Sequence, residues 1–141
     1  MPAGEREKLY SLDLLGLAVR LSQYPFHKDW SLVGEARSRT CGSVVQCCIQ
    51  AESDRIVALG LQVSACAVGQ AAAAIFAAHA EGYGVAELAR TEGQLEAWLA
   101  GGGTLPNWPE IEKLQPALPF PARHRAILLP WTAAMRALSK A

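Results

Sequence analysis

The sequence predicts an α+β fold in which an N-terminal helix leads into a small antiparallel three-stranded sheet and later helices pack on one face of that sheet. Three observations carry this expectation. Leucines at mixed spacings with a helical bias fill residues 8–23, two runs of alternating apolar residues flank the polar cluster ESDR at 52–55, and alanine dominates from residue 66 to about residue 79. Helix first, strands second and helices last is the order of an antiparallel sheet with a one-sided helical cover.

Each element has its own signal. In KLYSLDLLGLAVRLSQ, the residues Leu9, Leu12, Leu15, Leu17, Val19 and Leu21 give a helical bias, and Pro25 breaks it, so the first helix should end near Gln23. A short strand is expected at 34–40. The next stretch reads as a hairpin, with Val45, Cys47 and Ile49 on one face of its first strand and Val57, Leu59, Leu61 and Val63 on one face of its second. Alanine is the best helix former, so a helix should run to about His79 and close at EGYG. VAELARTEGQLEAWLA predicts two short helices or one interrupted at Gly93, and GGGTLPNWPE predicts a loop. A brief helix should start at Pro109, where proline suits the first helical position. The last helix should span RAILLPWTAAMRALSK, with Pro130 removing a hydrogen bond or bending it. At 141 residues, one domain covering 1–141 is expected.

Composition narrows the function classes. The chain is 51% hydrophobic and 18% charged, which argues for a folded globule. Lys+Arg and Asp+Glu both count 13, so charge points neither to nucleic acid nor to an anionic membrane surface. The N-terminus mixes acids and bases without an export signal's apolar stretch, which predicts a cytoplasmic location. QAAAAIFAAHA is shorter than the ~20 residues of a membrane span and predicts a buried helix.

In a reducing compartment Cys41, Cys47, Cys48 and Cys66 should be free thiols, metal ligands or reactive groups. A hairpin centred between Ser53 and Asp54 pairs residues whose numbers sum to 107, as do those of Cys41 and Cys66. That register faces the two across the open end of the ribbon, with Cβ atoms roughly 4.5–5.5 Å apart. Cys47 and Cys48 lie about 20 Å from Cys41 and read as strand packing. Cys66 opens a helix, where the dipole lowers a thiol's pKa. From the residues alone, a metal or sulfur site, core packing and a disulfide remain open.

The motifs TCGS at 40–43, SAC at 64–66 and LPFPARHR at 118–125 resemble, in spacing and element order, the iron–sulfur cluster assembly scaffolds of the IscU/NifU N-terminal family. The likeness spans nearly the whole chain and includes YSLDLLGLAVRLSQYP, similar to that family's first helix. It implies that Cys41, Cys66 and His124 hold a [2Fe–2S] cluster or iron, or zinc in the protein as isolated. Arg125 then stands where the family has a third cysteine and Ser43 where it has an aspartate, and with Gly42 these flank the site. The family's Leu-Pro-Pro-Val-Lys chaperone element is reduced to Leu118, Pro119 and then Phe120-Pro121-Ala122.

The resemblance implies a scaffold or carrier, not an enzyme, with a cysteine desulfurase and apo iron–sulfur acceptor proteins as partners. A small thiol or a second copy in a homodimer would complete the ligand set. Two alternatives stand beside it: a degenerate homologue acting in protein–protein contact or regulation without a cluster, and a zinc-dependent persulfide acceptor. A hydrolase using Cys66 and His124 lacks an identifiable orienting residue or oxyanion element. His27 and His79 match no ligand position and should be structural.

Overall fold

The computed structural model describes residues 12–141, so the expected start of the first helix near residue 8 lies outside the described residues. Helix α1, Leu12–Val19, runs into a 3₁₀ turn at Arg20–Gln23 and stops short of Pro25 as expected. Its residues Leu14 and Leu17 are buried while Leu15 and Val19 face outward.

Strands β1 (Leu32–Arg37), β2 (Val44–Glu52) and β3 (Arg55–Ser64) form an antiparallel sheet in the order β1-β2-β3. Both central residues of the hairpin tip adopt left-handed backbone, Ser53 at φ 52° and Asp54 at φ 64°, as a two-residue type I′ turn requires. Near the tip, Glu52 pairs with Arg55 and Ala51 with Ile56, the expected register. A β-bulge at Gln50/Ala51 then shifts the ladder by one, so that Gln50 pairs with Ala58 and Val44 with Ser64. Val57 is the extra residue; it leaves the apolar face assigned to it and is 37% exposed, while Ile56 turns inward. β1 also begins and ends earlier than 34–40, because residues 38–43 are taken up by a tight turn.

Helices α2 (Ala67–His79), α3 (Val85–Leu99) and α4 (His124–Leu138) follow. α4 packs across β1 and β2, α2 packs against α1, α4 and β3, and α3 lies on α4. α2 is buried on nearly every side from Val68 to Ala77, and its small alanines let these neighbours approach closely. α3 passes through exposed Gly93 without interruption, and the segment after Pro109 is a 3₁₀ helix, Ile111–Ala117. Phe76, Trp108 and Trp131 meet at ring-centroid distances of 5.1 to 5.5 Å, and Trp108 Nε1 donates to Ile75 O. Arg136 and Lys140 of the C-terminal segment donate to the Glu35 and Val33 carbonyls, guarding edge strand β1. Among the described residues no helix is long and apolar enough to cross a membrane.

Glu110 ties three elements together. Its carboxylate accepts two bonds of 3.0 Å from the Arg20 guanidinium, one of 2.7 Å from Lys113 and one of 3.1 Å from His79, the last residue of α2. Arg20 foremost, then Lys113 and His79, hold this carboxyl at about 2 against the opposing effect of burial. Because the folded pKa is depressed, the stabilisation is complete above the ordinary value of 4.5 and disappears as pH falls through about 2. After allowance for screening at the part-exposed Arg20, the contribution is about 2 kcal/mol. Urea unfolding should therefore find Glu110→Gln less stable than the native chain at pH 6, with the difference shrinking as pH falls below 4.5.

Candidate functional site: a two-thiol cleft

The site starts from the turn that joins β1 to β2. Ser38 N–H donates to Ser43 O and Gly42 N–H to Ser38 O, each at 2.9 Å, and Gly42 sits at φ +71°, a conformation a side chain would oppose. This closure lifts Cys41 off the strand and half exposes it. Its thiol sits between two hydroxyls: Sγ–H donates to Ser38 Oγ at 3.3 Å, and Sγ shares a hydrogen bond of 3.1 Å with Ser43 Oγ. Both serines are buried, and Ser38 Oγ is further joined to Thr40 Oγ1 at 3.0 Å. Burial pushes the Cys41 thiol up, but hydrogen bonds from Ser38, Ser43 and the Ser43 backbone, together with the charge of Arg123, outweigh it and bring its pKa below the ordinary thiol value.

Cys66 arrives from the other side of the chain. β3 ends at Ser64, and Cys66 is the N-cap of α2, with its carbonyl accepting the Gln70 N–H at 2.9 Å and its thiol capping no backbone group. It too is half-buried. Cys41 and Cys66 are thus not the ladder partners that a sum of 107 suggests; the bulge moves the register, and each thiol lies beyond the last rung. They nevertheless line one open cleft of about 250 Å³. Gly42 and Ser43 contribute from the turn, Ser64 and Ala65 from the end of β3, and no carboxylate lines it.

The remaining wall is Arg123, which ends a short 3₁₀ turn, Pro121–Arg123, just before α4. Arg125, the cation that the resemblance placed beside the site, is exposed and lines a separate groove with Arg37, Glu92 and Arg136. The reason is local: the final helix begins at His124, so the side chain facing the thiols belongs to the turn before it. Sequence reading missed Arg123; Pro121, which suits the first position of a helical turn, was the available signal.

His124 does not line the cleft. Its Nε2 is 3.1 Å from both the Ala117 and Leu118 carbonyls, which only accept, so Nε2–H donates to them. Among the described residues no three His, Cys, Asp or Glu side chains gather as a group that could hold a metal ion. The structure therefore brings Cys41 and Cys66 together and leaves His124 outside. Cys47 and Cys48 are fully buried on opposite faces of β2, Cys48 Sγ accepting the His27 N–H at 3.3 Å. His27 stacks on Trp30 at 4.2 Å and His79 joins Glu110, both structural positions.

No protein-family model matches the chain, and no curated protein matches it significantly. Solved structures do. The N-terminal NifU-like protein from Brucella abortus superposes with a TM-score of 0.84 at 22% identity, covering 96% of this chain and 98% of that one. A protein assigned as an iron–sulfur cluster assembly scaffold of the SUF system, from Fervidobacterium islandicum, superposes at 0.78 and 20% identity, covering 96% and 97%. At these identities the likeness establishes a shared fold: an N-terminal helix, three antiparallel strands and helices packed upon them.

Proposed function

We propose that this protein is a scaffold or carrier for iron–sulfur cargo, holding a transient [2Fe–2S] cluster at Cys41 and Cys66 and passing it to apo acceptor proteins. One observation carries the reading. Two half-exposed thiols from separate elements meet at one open cleft, in a chain with the fold of two proteins described as NifU-like and as an iron–sulfur scaffold. Thiolates are the ordinary ligands of such clusters, and an open cleft suits release as well as capture.

A cysteine desulfurase would supply the sulfur. The Cys41 thiolate attacks the outer sulfur of the donor's persulfide, the donor's S–S bond breaks, and the donor cysteine leaves as thiolate while Cys41 carries the new persulfide. Cys41 suits this step better than Cys66, the residue its helix position favours from sequence, because Ser38, Ser43 and Arg123 all stabilise its anion. His124 is the third donor in this proposal, through Nδ1, once cargo draws it toward the thiols; a hydrogen bond from the other ring nitrogen is the usual support for such a ligand. A small thiol or a second copy completes the set.

Resident zinc fits the described cleft poorly while His124 stays on the Ala117 and Leu118 carbonyls, since zinc sites use at least three protein ligands and only two thiols then converge. That same shortfall favours the second reading, a homologue acting through protein contacts without a cluster. Anaerobic incubation with iron, cysteine, a desulfurase and a small-thiol reductant, which takes the persulfide sulfur to sulfide, separates the two. The scaffold reading expects thiolate-to-iron charge-transfer absorption, its loss in Cys41→Ala and in Cys66→Ala, and transfer to an apo [2Fe–2S] acceptor. A native chain that stays colourless even with added small thiol contradicts it.

A further inference from the structure

The cleft's charge makes a sharper statement than its ligand count. Arg123 lines it, and among the described residues its guanidinium takes part in no ion pair or side-chain hydrogen bond; the ion pairs use Arg20, Arg37, Arg55, His79 and Lys113. The other lining side chains are thiols, hydroxyls and a methyl group, with no acid to neutralise that cation. A further arginine, Arg39, is exposed on the turn that carries Cys41. A permanent, weakly hydrated cation beside two thiols repels an arriving divalent metal ion and attracts an anion.

We infer that Arg123 selects the cargo by charge, so that the cleft takes up an anionic, thiolate-capped [2Fe–2S] cluster in preference to a bare divalent cation. This rests on the scaffold reading and adds the chemical form in which cargo arrives. A [2Fe–2S] cluster takes four ligands, and with small thiolates in all four positions the oxidised form is a dianion. Cys41 and Cys66 displace two of those caps. Each incoming thiol gives up its proton to the thiolate that it displaces, which leaves as free thiol. Two iron–sulfur bonds form as two break, no electron moves, and the dianionic charge is conserved. Of the two caps that remain, one holds the position that His124 takes through Nδ1 and the other is the small thiol that completes the set, and Arg123 pairs with the bound anion.

The experiment uses the full chain, its Arg123→Gln and Arg123→Asp variants, and Arg123→Lys as the charge-conserving rescue, each checked for fold by circular dichroism. Zinc ion is titrated in competition with a chromophoric chelator, and uptake from a glutathione-capped [2Fe–2S] complex is followed by absorbance. The inference expects zinc to bind Arg123→Gln on the order of tenfold more tightly than the native chain, and Arg123→Asp more tightly still, while cluster uptake slows by a similar factor. Arg123→Lys should behave like the native chain. If the native chain accepts cluster but Arg123→Gln matches it in both assays, the inference fails and the scaffold reading survives. If the native chain accepts cluster neither from the capped complex nor from free iron and sulfide, the scaffold reading fails and takes the inference with it.

Discussion

Replacing Gly34 with alanine is expected to lower the unfolding free energy by about 3 kcal/mol, the cost of forcing an atom into a packed interface that cannot yield locally. A Cβ at Gly34 would stand 2.1 Å from Ala133 O and 2.5 Å from Ala137 N, both backbone atoms of α4. No rotamer change relieves a clash with backbone, so α4 must retreat from β1 and β2. The penalty reaches the site as well, because α4 begins at His124, directly after Arg123. Gly93→Ala is the control: nothing lies within 4 Å of its added Cβ, it sits inside α3, and it should stabilise by about 0.5–1 kcal/mol. Urea unfolding of the three proteins reads both effects.

The four cysteines should separate into two functional classes. Cys41→Ala with Cys66→Ala should abolish cluster retention, a loss of at least about a hundredfold, while unfolding free energy changes by less than about 1 kcal/mol, since both side chains are half-exposed. Cys47→Ser should do the reverse. Burial, and next the neighbouring Cys48, push the Cys47 thiol far above the ordinary range, so it offers no thiolate at neutral pH. Placing a hydroxyl at that fully buried position should cost about 1–3 kcal/mol, yet cluster bound per folded chain should be unchanged. Iron content and urea midpoints, measured on the same samples, test the split.

Much of this arrangement was legible in the chain. The leucine spacing up to Gln23, the ESDR tip and the alanine block each report a local preference, and the order of elements, taken together, pointed to one-sided cover of an antiparallel sheet. What escaped depends on tertiary packing. A bulge adds one residue without marking it in a run of β-formers, so the 107 register holds at the tip and fails beyond Ala51. Cys41 and Cys66 still meet because a turn and a helix cap converge there, which no ladder sum describes. Arg123 and Arg125 are two residues apart, and which of them reaches the thiols depends on where the 3₁₀ turn yields to α4. His124 was assigned by likeness to a motif, and its contact with the Ala117 and Leu118 carbonyls depends on the fold of the Ile111–Ala117 segment.

The most direct measurement is the iron and acid-labile sulfide content of anaerobically prepared protein, beside the Cys41→Ala/Cys66→Ala chain treated identically. The account predicts iron and sulfide in equal amounts on the native chain and neither above background on the variant. Equal loading of both chains, or none on the native one, would contradict it.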